Sequence, residues 1–367
     1  MKDNSLKIFD GINVKLARSK TYNYNFNKIN GRFSRWGATQ DEDPFCSTFG
    51  PEILDIEISS GGGCLGNCPF CYKGNGGSAP IQNMTLDQFK IILNKMPKVL
   101  TQIAFGIMNI STNPDFFPMM EYARSQGVIP NYTCHGLDVT QEIAERTAKL
   151  CGAVAVSVYN KEKSYNAIKM FTDAGMTQVN IHFMLADETY DRALEIVNDI
   201  ASDSRLKRMN AIVFLQLKKK GRAEEGHYHY IGSVEKYKRL MDFCKEKGVN
   251  YGFDSCSAPL YFKVIENDPD YKQLSSYGEP CESTLFSSYI NSKGVFFPCS
   301  FSEEVIGWET GLNVLTCSDF LKDVWHHPSI KEFRKNLEQS SSGCADCLSQ
   351  KICRSCPIYI ETAGCKS

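Results

Sequence analysis

What this 367-residue chain lacks narrows it first. No apolar run approaches the roughly 20 residues of a membrane-spanning helix, and the N-terminus MKDNSLKIFDGINVKL has no secretory-signal stretch. Neither charge is in excess, with 41 Lys and Arg against 42 Asp and Glu and a net charge of −1. That excludes a surface attractive as a whole to nucleic acid or anionic lipid. The expectation is a cytoplasmic protein with no membrane and no nucleic-acid partner. Repeats and low-complexity tracts are absent too. Apolar residues are not scarce: at 42% hydrophobic and 11% aromatic, the chain can bury a sizeable core, so it is not disordered in general.

Cysteine is abundant. Sixteen is many for a reducing compartment, where clustered cysteines mean metal or catalysis more often than disulfides. Their distribution follows the organisation of the chain. Residues 1–50 form a basic extension: eight Lys or Arg precede residue 41, with only Asp3 and Asp10 as acids. The alternation in TYNYNFN and the Asn30-Gly31 turn predict a β-hairpin. It would cover one end of the main domain or offer a docking surface to an acidic peptide. Over 51–255, six strand–helix units alternate, beginning with ILDIEIS and ending near VNYGFDS, and Asp187 is a plausible helix N-cap. Scaling an eight-unit barrel to six units gives about 190 residues, which fits. Residues 256–367 lose this rhythm and hold nine cysteines, so metal rather than an apolar core is expected to organise them.

Cys64, Cys68 and Cys71 lie within SGGGCLGNCPFCYKG, on the loop leaving the first strand. Zinc normally wants a fourth protein ligand, and none is adjacent. Three thiolates on a [4Fe–4S] cluster leave one iron open instead. The loop follows the C-terminal end of a parallel strand, where such sheets place their chemistry.

With C-x3-C-x-aromatic-C in that position, the sequence resembles the radical S-adenosylmethionine (SAM) superfamily. The resemblance implies an α/β fold with a partial (β/α)6 TIM-like barrel. It also implies that the open iron chelates SAM, whose reductive cleavage gives a 5′-deoxyadenosyl radical that takes hydrogen from substrate. Phe70 would pack near the adenine. Gly106 survives from a Gly-Gly-Glu-Pro-like segment whose Glu is missing here, in AFGIMNISTNPDF. Ser157 occupies the place of a methionine-carboxylate or ribose contact, and His135 is either a pocket residue or a packing one. Asn180 and His182 alternate to one strand face, as cofactor contacts or as a satisfied core pair.

The C-terminal cysteines resemble the seven-cysteine SPASM domain: Cys281, Gly294-x4-Cys299, Cys344-x2-Cys347-x5-Cys353-x2-Cys356 and Cys365. One gap departs from the pattern, since x2 replaces x3 between Cys353 and Cys356. The resemblance implies two auxiliary [4Fe–4S] clusters, and so three in all. Cys344, Cys347, Cys353 and Cys365 would hold the distal one, and Cys281, Cys299 and Cys356 the nearer. The nearer cluster's fourth ligand is Cys256, Cys317 or none, with Cys256 favoured for its place at the domain junction. Gly221-Arg222-Ala223 matches a GR[AG] segment of the same enzymes, although KKKGR also reads as an anion-binding turn or a solvated loop.

By resemblance the function is that of a radical SAM oxidoreductase or maturase. Its substrate would be a peptide or protein, crosslinked or oxidised at an unactivated carbon in ribosomal-peptide maturation, with flavodoxin or ferredoxin as reductant. A radical SAM dehydrogenase of a sugar or alcohol is the alternative. Asp254, Glu282 and Glu303, beside the auxiliary ligands, are the candidate bases. Anaerobically reconstituted protein should hold about twelve iron and about twelve sulfide per chain, measured by elemental and sulfide analysis. About four iron with bound zinc would remove the auxiliary clusters.

Overall fold

The computed structural model describes residues 5–339, 349, 352–354 and 356–359, so Cys344, Cys347 and Cys365 lie outside the described residues. Four strands open the chain: β1 (Lys7–Asp10), β2 (Val14–Arg18), β3 (Asn23–Asn27) and β4 (Phe33–Trp36). They pair antiparallel in that order. The expected hairpin is the β3–β4 pair, with Gly31 turning at φ +74°. The sequence concealed β2 because its buried face carries Lys15 and Ala17, so no apolar alternation marks it. Tyr22, Tyr24 and Phe26 pack this sheet against Val99, Ile129, Leu285 and Phe333. Tyr24 donates to the Val99 carbonyl (2.8 Å) and Lys15 to the Leu100 carbonyl (2.7 Å). Lys15, Arg18, Lys28 and Arg35 are bonded within the protein, while Lys7, Lys20 and Arg32 are exposed.

From β5 (Ile53–Glu57), strands and helices alternate. A short ladder, β6 (Ser59–Ser60) with β7 (Gln82–Asn83), precedes α1 (Leu86–Lys95). Then come β8 (Gln102–Gly106), α2 (Phe116–Ser125), β9 (Ile129–Cys134), α3 (Gln141–Leu150), β10 (Val154–Ser157) and α4 (Lys161–Asp173). The series ends with β11 (Val179–Leu185), α5 (Tyr190–Ser202), β12 (Ala211–Gln216), α6 (Val234–Glu246) and β13 (Tyr251–Phe253). Alternation decides which way each strand faces: Leu54 and Ile56 are buried against the helices, while Asp55 turns to the opposite, accessible face. Caps start the helices where the sequence provides them. Thr85 and Gln88 form a reciprocal capping box on α1, and Thr140, Asn160 and Ser233 cap α3, α4 and α6. Asp187 is not a cap. It sits in a 3₁₀ turn and pairs with Lys236 (2.7 Å), while the Thr189 hydroxyl accepts from the Ala186 amide.

After β13 follow α7 (Ala258–Ile265), α8 (Tyr271–Leu274), β14 (Ser287–Ile290), β15 (Val295–Phe297), β16 (Leu312–Asn313) and α9 (Pro328–Gln339). One sheet spans both halves, in the order β13-β12-β11-β10-β9-β8-β5-β14-β15-β16. The strands from β13 to β14 are parallel, and β15 and β16 return antiparallel. Apolar packing continues across residue 256: Ile290, Phe296, Val314, Phe320 and Trp325 join the barrel core, and Trp325 Nε1 donates to the Ser47 carbonyl (2.9 Å). The expectation that a core is lacking there is therefore corrected. Its apolar residues are spread over short strands and turns, without the period that reveals a core in sequence. Among the described residues no helix is long and apolar enough to cross a membrane.

If the N-terminal sheet is integral to the barrel, Phe26→Ala should cost about 3–5 kcal/mol, read from the urea midpoint. Tyr24→Phe, which removes only the bond to Val99, should cost about 1 kcal/mol.

Candidate active site

The cysteine loop leaves the C-terminal end of β5 and returns at β7. Its ends are tied by backbone bonds, Gly62 to Ala79 (3.1 Å), Gly63 to Gly77 (3.1 Å) and Gly76 to Gly61 (2.9 Å). Inside it, Gly66 lies beside the thiols, and a side chain there would reach them at ordinary contact distance. A Cβ there would stand 3.5 Å from Cys68 Sγ, 3.6 Å from Cys64 Sγ and 3.4 Å from His135 Cδ2. Two sulfurs and an imidazole edge thus border one bare floor.

Two side chains pin this loop from outside. Asn109 donates to the Gly63 carbonyl (3.0 Å), and its Oδ1 accepts from the Leu65 amide and from His135 Nε2, both at 2.9 Å. His135 Nδ1 accepts from the Leu137 amide (2.9 Å), so the ring's proton is on Nε2. Burial lowers the His135 pKa against the pull of Asp138, keeping the ring neutral. From β12's end, the Arg222 amide donates to the Cys71 carbonyl (3.0 Å), and its guanidinium holds Asn67 Oδ1 (2.7 Å) and the Asn75 carbonyl (2.9 Å). Gly221 makes that approach possible. At φ +58°, its Cβ would lie 2.6 Å from the Cys71 and Tyr72 carbonyl oxygens. The Gly221-Arg222 segment is a clamp on the cysteine loop, not an anion-binding turn or a solvated one.

Beside the loop is a cavity of about 580 Å³, lined by Gly66, Phe70, Tyr159, His182, Arg192 and Tyr228 among others. Phe70 packs between Tyr159 and Tyr228, at ring-centroid distances of 5.8 and 5.4 Å. The Tyr159 phenol reaches both Cys68 and Ser157. Burial holds the His182 pKa down to about 4, and the neutral ring faces Thr133 Oγ1 at 3.5 Å. Asn180 is elsewhere. It accepts from Asn210 (2.9 Å) at the opposite, N-terminal end of β11. Gly106 pairs with Glu57, and its carbonyl accepts the Ile58 amide (2.9 Å).

A second group of thiols forms where β13 and β15 end. Cys256, Cys281, Cys299 and Cys356 perturb one another electrostatically, and buried Lys218 interacts with all four. Cys317 is not among them: its thiol donates to the Val314 carbonyl (3.3 Å), and Lys95 holds its own carbonyl (2.8 Å). Cys353 packs beside the Met241–Tyr261 cluster. Burial pushes Cys68 up to about 11 and Cys281 up to about 12. Such groups stay protonated thiols near neutrality unless a metal supplies positive charge. Among the described residues no three His, Cys, Asp or Glu side chains gather tightly enough for a single metal ion. A cluster asks for something different, thiolates spread over several irons.

The three candidate bases all have protein partners. Asp254 Oδ1 accepts from the Gln216 and Ser257 amides (3.2 and 3.0 Å) and the Ser257 hydroxyl (2.6 Å). Glu282 binds Arg35 (2.9 Å). Glu303 binds Lys73, Asn291 (2.6 Å) and Tyr289 (3.2 Å), and Lys73 also pairs with Glu57 (3.1 Å). Sequence reasoning missed Asn109, Tyr159 and Asp55. Asn109 lies in the very segment whose expected Glu is absent, and Tyr159 lies two residues past Ser157. Asp55, on the accessible face of β5, has its carboxyl pushed up to about 6 by burial alone.

No family model matches the chain. It is 21% identical over 340 residues to an AdoMet-dependent heme synthase of Methanosarcina barkeri, covering 84% of this chain and 92% of that one. It is 22% identical over 312 residues to mycofactocin maturase MftC of Mycolicibacterium smegmatis, covering 78% and 73%. Streptococcus suis SuiB, solved bound to precursor peptide SuiA, superposes with a TM-score of 0.73 at 14% identity, covering 99% of this chain and 100% of that chain. The barrel with its appended C-terminal half is therefore a fold shared with known proteins over its full length.

Gly221→Ala should displace the cysteine loop. Iron loading should fall by about four per chain and SAM cleavage should be lost, while circular dichroism stays unchanged.

Proposed function

We propose that this chain, a radical SAM protein of the SPASM type in fold and cysteine pattern, modifies a peptide substrate at an unactivated carbon. The observation that carries the reading is the bare floor at Gly66, bordered by Cys64 and Cys68 and opening on an aromatic cavity. Cys64, Cys68 and Cys71 would hold a [4Fe–4S] cluster, and the cavity beside Phe70 and Tyr159 would take the adenosine end of SAM. Bound together, cluster and SAM supply one-electron chemistry that removes hydrogen from carbon. Phe70 and Tyr228 would offer ring faces to the adenine. Tyr159, reaching Cys68 and Ser157, would orient the first thiolate shell. Asn109 would take the positional role of the missing Glu by fixing the loop rather than by binding SAM directly.

Cys256 would be the fourth ligand of the nearer auxiliary cluster, beside Cys281, Cys299 and Cys356, with Lys218 balancing its negative charge. Cys353 would join the distal cluster, giving three clusters, with flavodoxin or ferredoxin delivering electrons. Asp55, on the face of β5 opposite Leu54 and Ile56, makes no hydrogen bond or ion pair among the described residues and would be a further candidate base beside Asp254, Glu282 and Glu303. The peptide reading draws on two similar proteins, a maturase and an enzyme solved with its precursor peptide. A small-molecule substrate is the second reading, favoured by the similarity to a heme synthase.

Replacing Cys64, Cys68 and Cys71 together by Ala should abolish 5′-deoxyadenosine formation under strong reductant while the auxiliary iron remains. Continued formation would overturn the assignment. Cys256→Ala should alter the auxiliary cluster's spectrum with SAM cleavage intact. Cys317→Ala should cost only packing, about 1 kcal/mol.

A further inference from the structure

Among the described residues the sheet ends at β13, and no further strand pairs with its outer edge. β13 pairs with β12 alone, Ile212 opposite Tyr251 and Phe214 opposite Phe253. In this parallel register the Ile212 amide bonds the Asn250 carbonyl (3.0 Å) and the Asp254 amide bonds the Phe214 carbonyl (3.0 Å). The backbone groups of Asn250, Gly252 and Asp254 therefore face β12. Those of Tyr251 and Phe253 point off the edge of the sheet. Natural proteins usually cover or blunt such an edge.

Here the edge borders a groove of about 540 Å³ between the end of α6 and the α7–Glu279 stretch. Its walls include Tyr251, Tyr261 and Tyr277, and Tyr277 is 64% exposed. Gly252 lies along it, and a Cβ there would meet no atom within 4 Å. The space a side chain would occupy is left clear beside the strand. Lys245 stands among the lining residues, as do Asp254 and Glu279. Asp254 is held by Ser257 and Gln216, whereas the Glu279 side chain makes no ion pair or hydrogen bond among the described residues, with Glu282 and Arg35 as its charged neighbours. At its far end β13 runs into Asp254 and Cys256, so the groove leads to the second thiol group.

We propose that this groove docks an extended stretch of the peptide substrate, which adds as a strand to β13 and sets a basic side chain against Glu279. The inference rests on the peptide reading above and says where such a substrate is gripped. Strand addition takes its affinity from main-chain bonds and its selectivity from alternate side chains. The outward groups of Tyr251 and Phe253 supply the first, and Glu279 with the tyrosine walls the second. An extended chain rises about 3.3 Å per residue, so β13 matches only three or four residues of substrate. The remainder would continue past Cys256 toward the barrel mouth.

The test uses the full chain with its clusters loaded and two acetylated, amidated octapeptides. One alternates threonine and lysine, and the other alternates proline and lysine and so lacks half of the amide donors. The threonine–lysine peptide should bind saturably and slow hydrogen exchange at the Tyr251 and Phe253 amides at least tenfold. The proline peptide should bind at least tenfold more weakly at equal charge. Gly252→Leu, filling clear space, should keep the melting temperature and weaken binding at least tenfold, with Gly252→Ala intermediate. Glu279→Gln should weaken binding severalfold at low salt and little at high salt. Equal binding to Gly252→Leu and wild type, equal binding of the two peptides, or no saturable binding would each overturn the proposal. Protection elsewhere with Tyr251 and Phe253 unchanged would overturn this site alone. The peptide reading is judged separately, by whether a peptide rather than a sugar or alcohol is consumed with SAM.

Discussion

The pairing of β5 on both edges is the constraint on which the rest of the structure depends. Ile53 to Glu57 bond β8 on one side, and Ile53 to Ile56 bond β14 on the other. One five-residue strand thus belongs to the barrel and to the C-terminal half together. The cysteine loop hangs from its C-terminal end, and the chain that follows β14 and β15 reaches Cys299 within two residues. Glu57, the last residue of β5, meets Lys73 from the cysteine loop, and Lys73 meets Glu303 from beyond Cys299. A buried ion pair is weak evidence of stability, but removing one partner strands the other charge, so the two loops are held in one register. The spacing between the two thiol groups is set by that strand and that lysine rather than by any linker.

Much of the barrel was legible because its strands and helices obey their periods. The runs QIAFG, VAVS and VNIHFML announce buried parallel strands. The strands that escaped are those whose buried positions are not apolar, as Lys15 shows in β2 and Ser288 in β14, or those too short to show a period, such as β16. The cysteine spacings exposed the site itself, because three thiols within eight residues have few other uses. The supports of the site stayed hidden. Asn109 and Tyr159 act by reaching a loop 44 and 91 residues away in the chain, and no local pattern encodes such a reach. Asn180 and His182 illustrate the limit: alternation put both on one face, but only the fold separates them along the strand, one at the cavity and one at the far end.

Electrostatically, the two thiol groups are alike in a way composition could not show. Desolvation raises the pKa of Cys68 in the first and of Cys256, Cys281 and Cys299 in the second. The protein supplies cations to the second group: Lys218, with Lys220 beside Cys299 and Arg354 beside Cys281. At the first, Arg222 is turned to Asn67 and Asn75 and braces backbone rather than sulfur. Thiolate formation at the first group therefore depends more fully on whatever positive charge is bound there.

The N-terminal sheet gives the barrel a floor. Tyr24 and Lys15 bond the carbonyls of Val99 and Leu100 just ahead of β8, and Ile129 at the start of β9 lies in the same apolar layer. That layer sits at the strand ends opposite the cysteine loop, so the loop end is the one the N-terminal sheet leaves uncovered. Whatever enters the barrel deepest from the loop end must arrive first and depart last.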